Sequence, residues 1–173
     1  MGPAGSGKSI QGHQLADEYG YGYVSTGEVF RVLFTGKRRN EMLAGKLLSD
    51  EEVISVVDLV LEFIDPKEQF ILDGFPRTKP QVDWLLTQCE STRLELPIVV
   101  NLELSEETIR ERLGKRARVD DSEAAISQRY NDYQALTKPI IEYMKQRGVA
   151  VFSIDAAGTP AEVHQRIIKA LHI

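Results

Sequence analysis

Four short runs of this 173-residue chain are almost wholly apolar, at 21–24, 69–72, 97–102 and 149–154. Runs of that length without polar alternation predict strands covered on both faces. Between them, apolar residues recur at helical spacing. A helix is predicted from 8 to about 19, stopped by Gly20. Ser25 and Glu28 read as a capping box for a helix through Phe30 and Leu33 towards Gly36. Residues 37–40 read as a basic turn, and a short helix follows at 41–44. Ser49 and Glu52 form a second capping box, opening a helix from 50 to about 64 with Val53, Val56, Val57 and Val60 inward. Further helices are predicted at 80–89, with Val82, Leu85 and Leu86 inward, and from Ser105 to about Leu113. Trp84 reads as packing. A charged connection at 114–121 leads to a long helix at 122–146, with Ile126, Tyr130 and Tyr133 on one face and a kink at Pro139. Thr159, Pro160 and Glu162 open the last helix.

Strands alternating with helices predict an α/β fold, a parallel sheet with helices on both faces. Ligands of such sheets bind beyond the C-terminal strand ends. Polar clusters fall there, at 2–9, 25–28, 73–77 and 155–158.

The first cluster fits G-x-x-x-x-G-K-S/T at every fixed position, from Gly2 to Ser9. That motif is a phosphate loop. Its backbone N–H groups, among Gly5, Ser6 and Gly7, and the positive end of the following helix attract phosphate. Lys8 reaches the terminal phosphates, and Ser9 stands beside magnesium. Asp73, at the end of an apolar run, is placed to hold hydrated magnesium. Arg31, Arg77, Arg116, Arg118 and Arg129 could pair with the charge of two nucleotides meeting at their phosphates. Taken singly, each would read as a surface charge, except Arg129, which shares the apolar helix face.

Composition narrows the class. Net charge is −5 and charged residues make up 27%, an acidic balance that argues against nucleic acid as a partner. One cysteine, Cys89, excludes an internal disulfide, and no run is long enough to span a membrane. A cytoplasmic monomer is expected.

Taken together, the motifs resemble the adenylate kinases, among nucleoside monophosphate kinases. They are 2–9, Ser-Thr-Gly-Glu-Val-Phe-Arg at 25–31, Gly-Lys-Leu-Leu-Ser-Asp-Glu at 45–51, Asp-Gly-Phe-Pro-Arg-Thr-Lys-Pro-Gln at 73–81, Arg-Val-Asp-Asp at 118–121 and Thr-Lys-Pro at 137–139. The resemblance covers nearly the whole chain. It implies a P-loop fold in one kinase domain, with residues 25–65 as a small helical flap over the monophosphate and 114–122 as a short lid. It implies ATP and AMP as substrates and Mg2+ as cofactor. Thr26 and Arg31 would hold the AMP side, the backbone at Leu47 and Leu48 would meet its adenine, and Gln81 its edge. Gly74 and Arg77 would contact the monophosphate. Arg116 would lie over the ATP base, with the backbone at Gly158 lining it, and Arg118 and Arg129 would neutralise the moving phosphoryl group.

Several positions depart from the family's pattern. Ile10 stands where threonine is usual, and Glu28 where aspartate is usual. The stretch from Arg31 to Gly45 is short, and only Ala117 separates Arg116 from Arg118. A structural zinc in the lid is excluded, since Cys89 and the scattered His13, His164 and His172 cannot supply four ligands. The three histidines read as surface residues. The family's strand before the phosphate loop lies between those at 69–72 and 97–102. The natural protein is therefore expected to begin a few apolar residues upstream, with Met1 ending that strand. A UMP/CMP kinase on the same fold, and a nucleotide-binding protein with impaired catalysis, remain as rivals; Thr26 and Gln81 favour AMP.

Overall fold

The computed structural model describes residues 1–44, 48–65, 68–116 and 122–173, with Arg116 described in its backbone alone. The first helix, α1 (Lys8–Tyr19), starts from Gly7 in the left-handed region and ends at Gly20, whose N–H donates to the Ala16 carbonyl. Strand β1 (Gly22–Ser25) runs directly into α2 (Thr26–Leu33), where the Ser25 side chain accepts from the Glu28 N–H. Helix α3 spans Gly36–Leu43, so the basic segment at 37–40 is helical rather than a turn. Lysine and arginine are good helix formers, and Arg38 pairs with Glu41 one turn on and with Glu52 across the flap.

Helix α4 (Asp50–Leu61) carries the Ser49–Glu52 capping box and buries Val53, Val57 and Leu61. It stops three residues short of the expected end, leaving Phe63 exposed. Strand β2 (Phe70–Asp73) pairs parallel with β1, from Gly22 opposite Phe70 to Ser25 opposite Asp73. Its residues are half-buried rather than fully covered. Helix α5 (Lys79–Glu90) follows, and Trp84 meets Phe75 edge to face at 5.8 Å.

Strand β3 (Ile98–Glu103) leads through Ser105 into α6 (Glu106–Arg116). This helix runs past Leu113 to Arg116, with Lys115 paired to Glu111 one turn back, so the expected connection is shorter. Helix α7 (Glu123–Asp132) and α8 (Lys138–Gln146) are joined by a π-helical turn at Tyr133–Thr137. The irregularity lies in the turn just before Pro139. Proline lacks an N–H and its ring crowds the carbonyl four residues back, so the backbone widens by one residue and the Lys138 N–H reaches the Tyr133 carbonyl. Strand β4 (Ala150–Asp155) pairs parallel with β3, and α9 (Pro160–Leu171) opens with the Thr159–Glu162 capping box.

Alternation along β3 and β4 separates two helical layers. Leu102 and Ile154 pack with Leu15 of α1 and Val163 and Ile167 of α9. Val99 packs on the other face with Val82 and Leu86 of α5 and Ile140 and Met144 of α8. A third cluster gathers Phe30, Val53, Val57, Phe75 and Leu85 where the flap helices meet α5. Among the described residues the strands form two ladders, β1–β2 and β3–β4. Met1 lies against β3: its carbonyl accepts from the Leu102 N–H at 3.0 Å and its amine donates to the Val100 carbonyl.

His164 is not a surface residue. It is 2% exposed on α9, with Nδ1 3.1 Å from Gln11 Oε1 and Nε2 2.8 Å from Glu18 Oε2, both on α1. His13 and His172 are exposed.

Candidate active site

The phosphate loop, the start of α2, the turn after β2 and one face of α7 enclose a cavity of about 340 Å³. It brings together Gly5, Gly7, Lys8 and Ser9 with Thr26, Arg31, Leu48, Asp73, Gly74, Arg77, Gln81 and Arg129. These residues are far apart in sequence. The parallel ladders bring them together because strand ends of one direction share one edge. Leu47 and Arg118 lie outside the described residues, as does the Arg116 side chain.

The loop turns into α1 at Gly7, whose φ of 95° only glycine adopts without strain. The Lys8 ammonium donates to the Pro3 carbonyl at 2.7 Å, folding its charge over the loop. Ser6 is buried, and its hydroxyl has no hydrogen-bond partner among the described residues.

Asp73 is the acceptor at the centre. Ser9 Oγ donates to its Oδ2 at 2.7 Å and the Tyr23 hydroxyl to the same atom at 3.0 Å. Burial pushes the Asp73 carboxyl up, but Lys8 and the hydrogen bonds from Ser9 and Tyr23 outweigh it and hold the pKa below its ordinary value. Tyr23 moves the other way. Burial and the neighbouring Asp73 charge push its hydroxyl up to about 12. Room for its ring comes from Gly12, where a Cβ would lie 2.6 Å from a Tyr23 ring carbon. Glu28 has its Oε1 3.9 Å from His13 Nε2, and the His13 ring lies tilted against Tyr23.

Gly74 is a tight joint of the site. Its φ is 87°, and a Cβ there would fall 2.5 Å from Thr26 Oγ1 and 3.0 Å from an Arg77 nitrogen. Thr26 Oγ1 donates to the Asp73 carbonyl at 3.3 Å, and Arg77 Nε to the Gly74 carbonyl at 2.7 Å. Burial, reinforced by Arg129 and Arg31, lowers the Arg77 pKa, and Asp73 only partly offsets them. Three guanidinium groups lining one cavity could hold an anion.

A smaller cavity of about 250 Å³ adjoins the loop, lined by Ser6, Gly7, Gln11, Arg112, Gly158 and Pro160. Arg112 donates to the Ala156 and Gly158 carbonyls, each at 3.0 Å. Sequence reasoning missed Arg112; its signal was its place between Ile109 and Leu113, the buried residues of α6. Tyr23 was also missed, and no local pattern marks it.

Asp73 and Ser9 supply hard oxygen donors of the kind magnesium takes, and the depressed Asp73 pKa keeps the carboxylate ready for it. Among the described residues, no group of three or more histidine, cysteine or acidic side chains could hold a metal by itself.

The adenylate kinase family model matches residues 1–149. Among curated proteins, the chain is 36% identical to an adenylate kinase of Corynebacterium urealyticum, over 99% of this chain and 96% of that one. It is 36% identical to an adenylate kinase of Nitrobacter winogradskyi over 86% of this chain and 80% of that one. With an adenylate kinase of Parasynechococcus marenigrum it shares 35% identity over 99% and 96%. With its phosphate loop, its Asp73 and its arginine-lined cavity on a parallel α/β frame, this chain belongs to the adenylate kinase family.

Proposed function

We infer that the protein transfers the terminal phosphoryl group of MgATP to AMP, giving two ADP. The observation that carries this reading is the single cavity in which the phosphate loop faces Thr26, Gly74, Arg77 and Gln81. Family membership supports it.

ATP would lie along Gly5, Ser6, Gly7, Lys8 and Ser9, with its base towards Gly158 and Arg112. Arg116 would lie over that base. AMP would lie across Thr26, Arg31, Leu47, Leu48, Gly74, Arg77 and Gln81, with residues 25–65 as its flap and 114–122 as the lid. Ser9 and Asp73 would hold Mg2+, largely through water, and the ion supplies charge neutralisation between the phosphates. The acceptor is already an anion, so no side chain needs to remove a proton. Lys8, Arg77, Arg118 and Arg129 would place and neutralise the transferring group, which is where the rate enhancement comes from. Arg77 is preorganised for this by its bond to Gly74. We place the protein in the cytoplasm as a monomer without nucleic acid or membrane partner. Its acidic charge and lone cysteine support that, and no described helix is long and apolar enough to cross a membrane.

ADP formation from MgATP with AMP, CMP, UMP and GMP tests the reading. AMP is expected to give the highest kcat/KM. Preference for UMP or CMP would overturn it.

A further inference from the structure

Gln81 is 3% exposed, and its amide is held from two sides. Nε2 donates to Asp50 Oδ1 at 2.8 Å, and Oε1 accepts from the Arg77 backbone N–H at 2.8 Å. A carboxylate only accepts and a peptide N–H only donates, so the two neighbours decide which end of the amide is nitrogen. A flip would set the amide NH2 against an N–H and its oxygen against a carboxylate, losing both bonds.

Both neighbours are themselves anchored. Asp50 is the first residue of α4 and also accepts from Thr78 Oγ1 at 2.6 Å. The Arg77 backbone is held on its other side by Thr137 Oγ1, which donates to the Arg77 carbonyl at 3.1 Å. Gln81 lines the cavity, whereas Asp50 lies behind it and is not part of the lining.

With those two bonds made, the amide keeps one N–H and one lone pair. A 6-amino purine offers a ring-nitrogen acceptor beside an amino donor. A 6-oxo purine offers the reverse, a ring N–H beside a carbonyl. A freely flipping amide could pair with either; a locked one matches a single order of donor and acceptor. We propose that Asp50 is a specificity-positioning residue, which touches no substrate and selects 6-amino over 6-oxo purine monophosphates by fixing the Gln81 amide. This rests on the reading of the cavity as the AMP site.

The test compares AMP with IMP, which differs from it only around position 6. Steady-state rates and calorimetric binding of both are measured for the unsubstituted protein, Asp50→Asn, Asp50→Ala and Glu51→Gln. Glu51→Gln removes a charge from the same helix end without touching the amide. In Asp50→Ala the ratio of AMP to IMP kcat/KM is expected to fall about fivefold or more, and in Asp50→Asn by less, because the asparagine oxygen still accepts from Gln81 Nε2. The fall should come mainly from KM for AMP and be matched by weaker AMP binding, and Glu51→Gln should leave the ratio unchanged. If the Asp50 variants lose activity on AMP and IMP alike, so that the ratio holds, Asp50 only supports the helix and the proposal falls. If the unsubstituted protein itself shows no preference for AMP over IMP, the reading of the cavity falls, and the proposal with it.

Discussion

The Ser9 hydroxyl donates to Asp73 Oδ2 at 2.7 Å, tying the first turn of α1 to the last residue of β2. The loop that would take ATP phosphates and the strand end that would hold the ion are thereby one unit, with Tyr23 bracing the same oxygen. Asp73→Asn keeps the shape and removes the charge. We expect kcat/KM to fall about 10²-fold or more and the Mg2+ concentration for half-maximal rate to rise. The folded-state pKa of Asp73 lies below its ordinary value of 3.8, so its ionisation stabilises the fold above that pH. That contribution is lost as pH falls through the depressed pKa. Acid unfolding followed by circular dichroism should show this component in the parent protein and lack it in the variant. Coincident curves would remove Asp73 from the account.

Arg77 faces Arg31 and Arg129 across the cavity, and its pKa is depressed by burial and by their charge. Arg77→Ala is expected to cost several kcal/mol of transition-state stabilisation, about the loss of a partly buried charge-assisted contact. It should cost little in folding stability, because like-charge repulsion is relieved at the same time. Sulfate, as a mimic of phosphate, should raise the Tm of the parent more than that of the variant. Equal shifts would place the anion elsewhere.

Ile10 is 56% exposed at the mouth of both cavities. Exposure makes Ile10→Thr nearly neutral for folding. The added hydroxyl can contribute about 0.5–1.5 kcal/mol if it reaches an ATP phosphate, a gain of roughly 2- to 10-fold in affinity. Calorimetric titration with MgATP measures it. An unchanged Kd would show that the isoleucine displaces no phosphate contact in this chain.

His164 joins α9 to α1 through Gln11 and Glu18, while Gln11 Nε2 donates to the Pro160 carbonyl at 2.8 Å. His164→Ala leaves the buried Gln11 carbonyl oxygen unpaired and opens a hole, at a cost of about 1–3 kcal/mol for the polar loss alone. At about 2–4 °C per kcal/mol for a chain of this size, Tm should drop by several degrees. The KM for ATP should rise with it, since Gln11 and Pro160 border the smaller cavity. A variant as stable as the parent would mean that the brace carries no net energy.

Local hydrogen bonding made parts of this protein legible before any fold was known. The phosphate loop, both ends of α1 and the capping boxes at Ser49–Glu52 and Thr159–Glu162 join residues at most a few positions apart. Four apolar runs alternating with helical patterns were enough for the parallel α/β arrangement, because such runs can only be buried with helices on both faces. The cavity residues Thr26, Arg31, Asp73, Gly74, Arg77, Gln81 and Arg129 were legible as parts of motifs, and the fold gathers them.

The remaining features depend on partners that no sequence window contains. His164 looked like a surface residue because its partner Gln11 is 153 positions away. Tyr23 reaches Asp73 across 50 positions, and only because Gly12 leaves space for its ring. Asp50 opens its helix in the sequence, and only folding sets it against Gln81, 31 positions on. The π-helical turn before Pro139 likewise arises where the backbone of a packed helix relieves a clash that spacing alone cannot locate. Local rules act through covalent neighbours, so the chain by itself determined its loop, caps and layers. Which side chains share a cavity, and which polar groups lock one another, was decided only when packing brought distant segments within hydrogen-bonding distance.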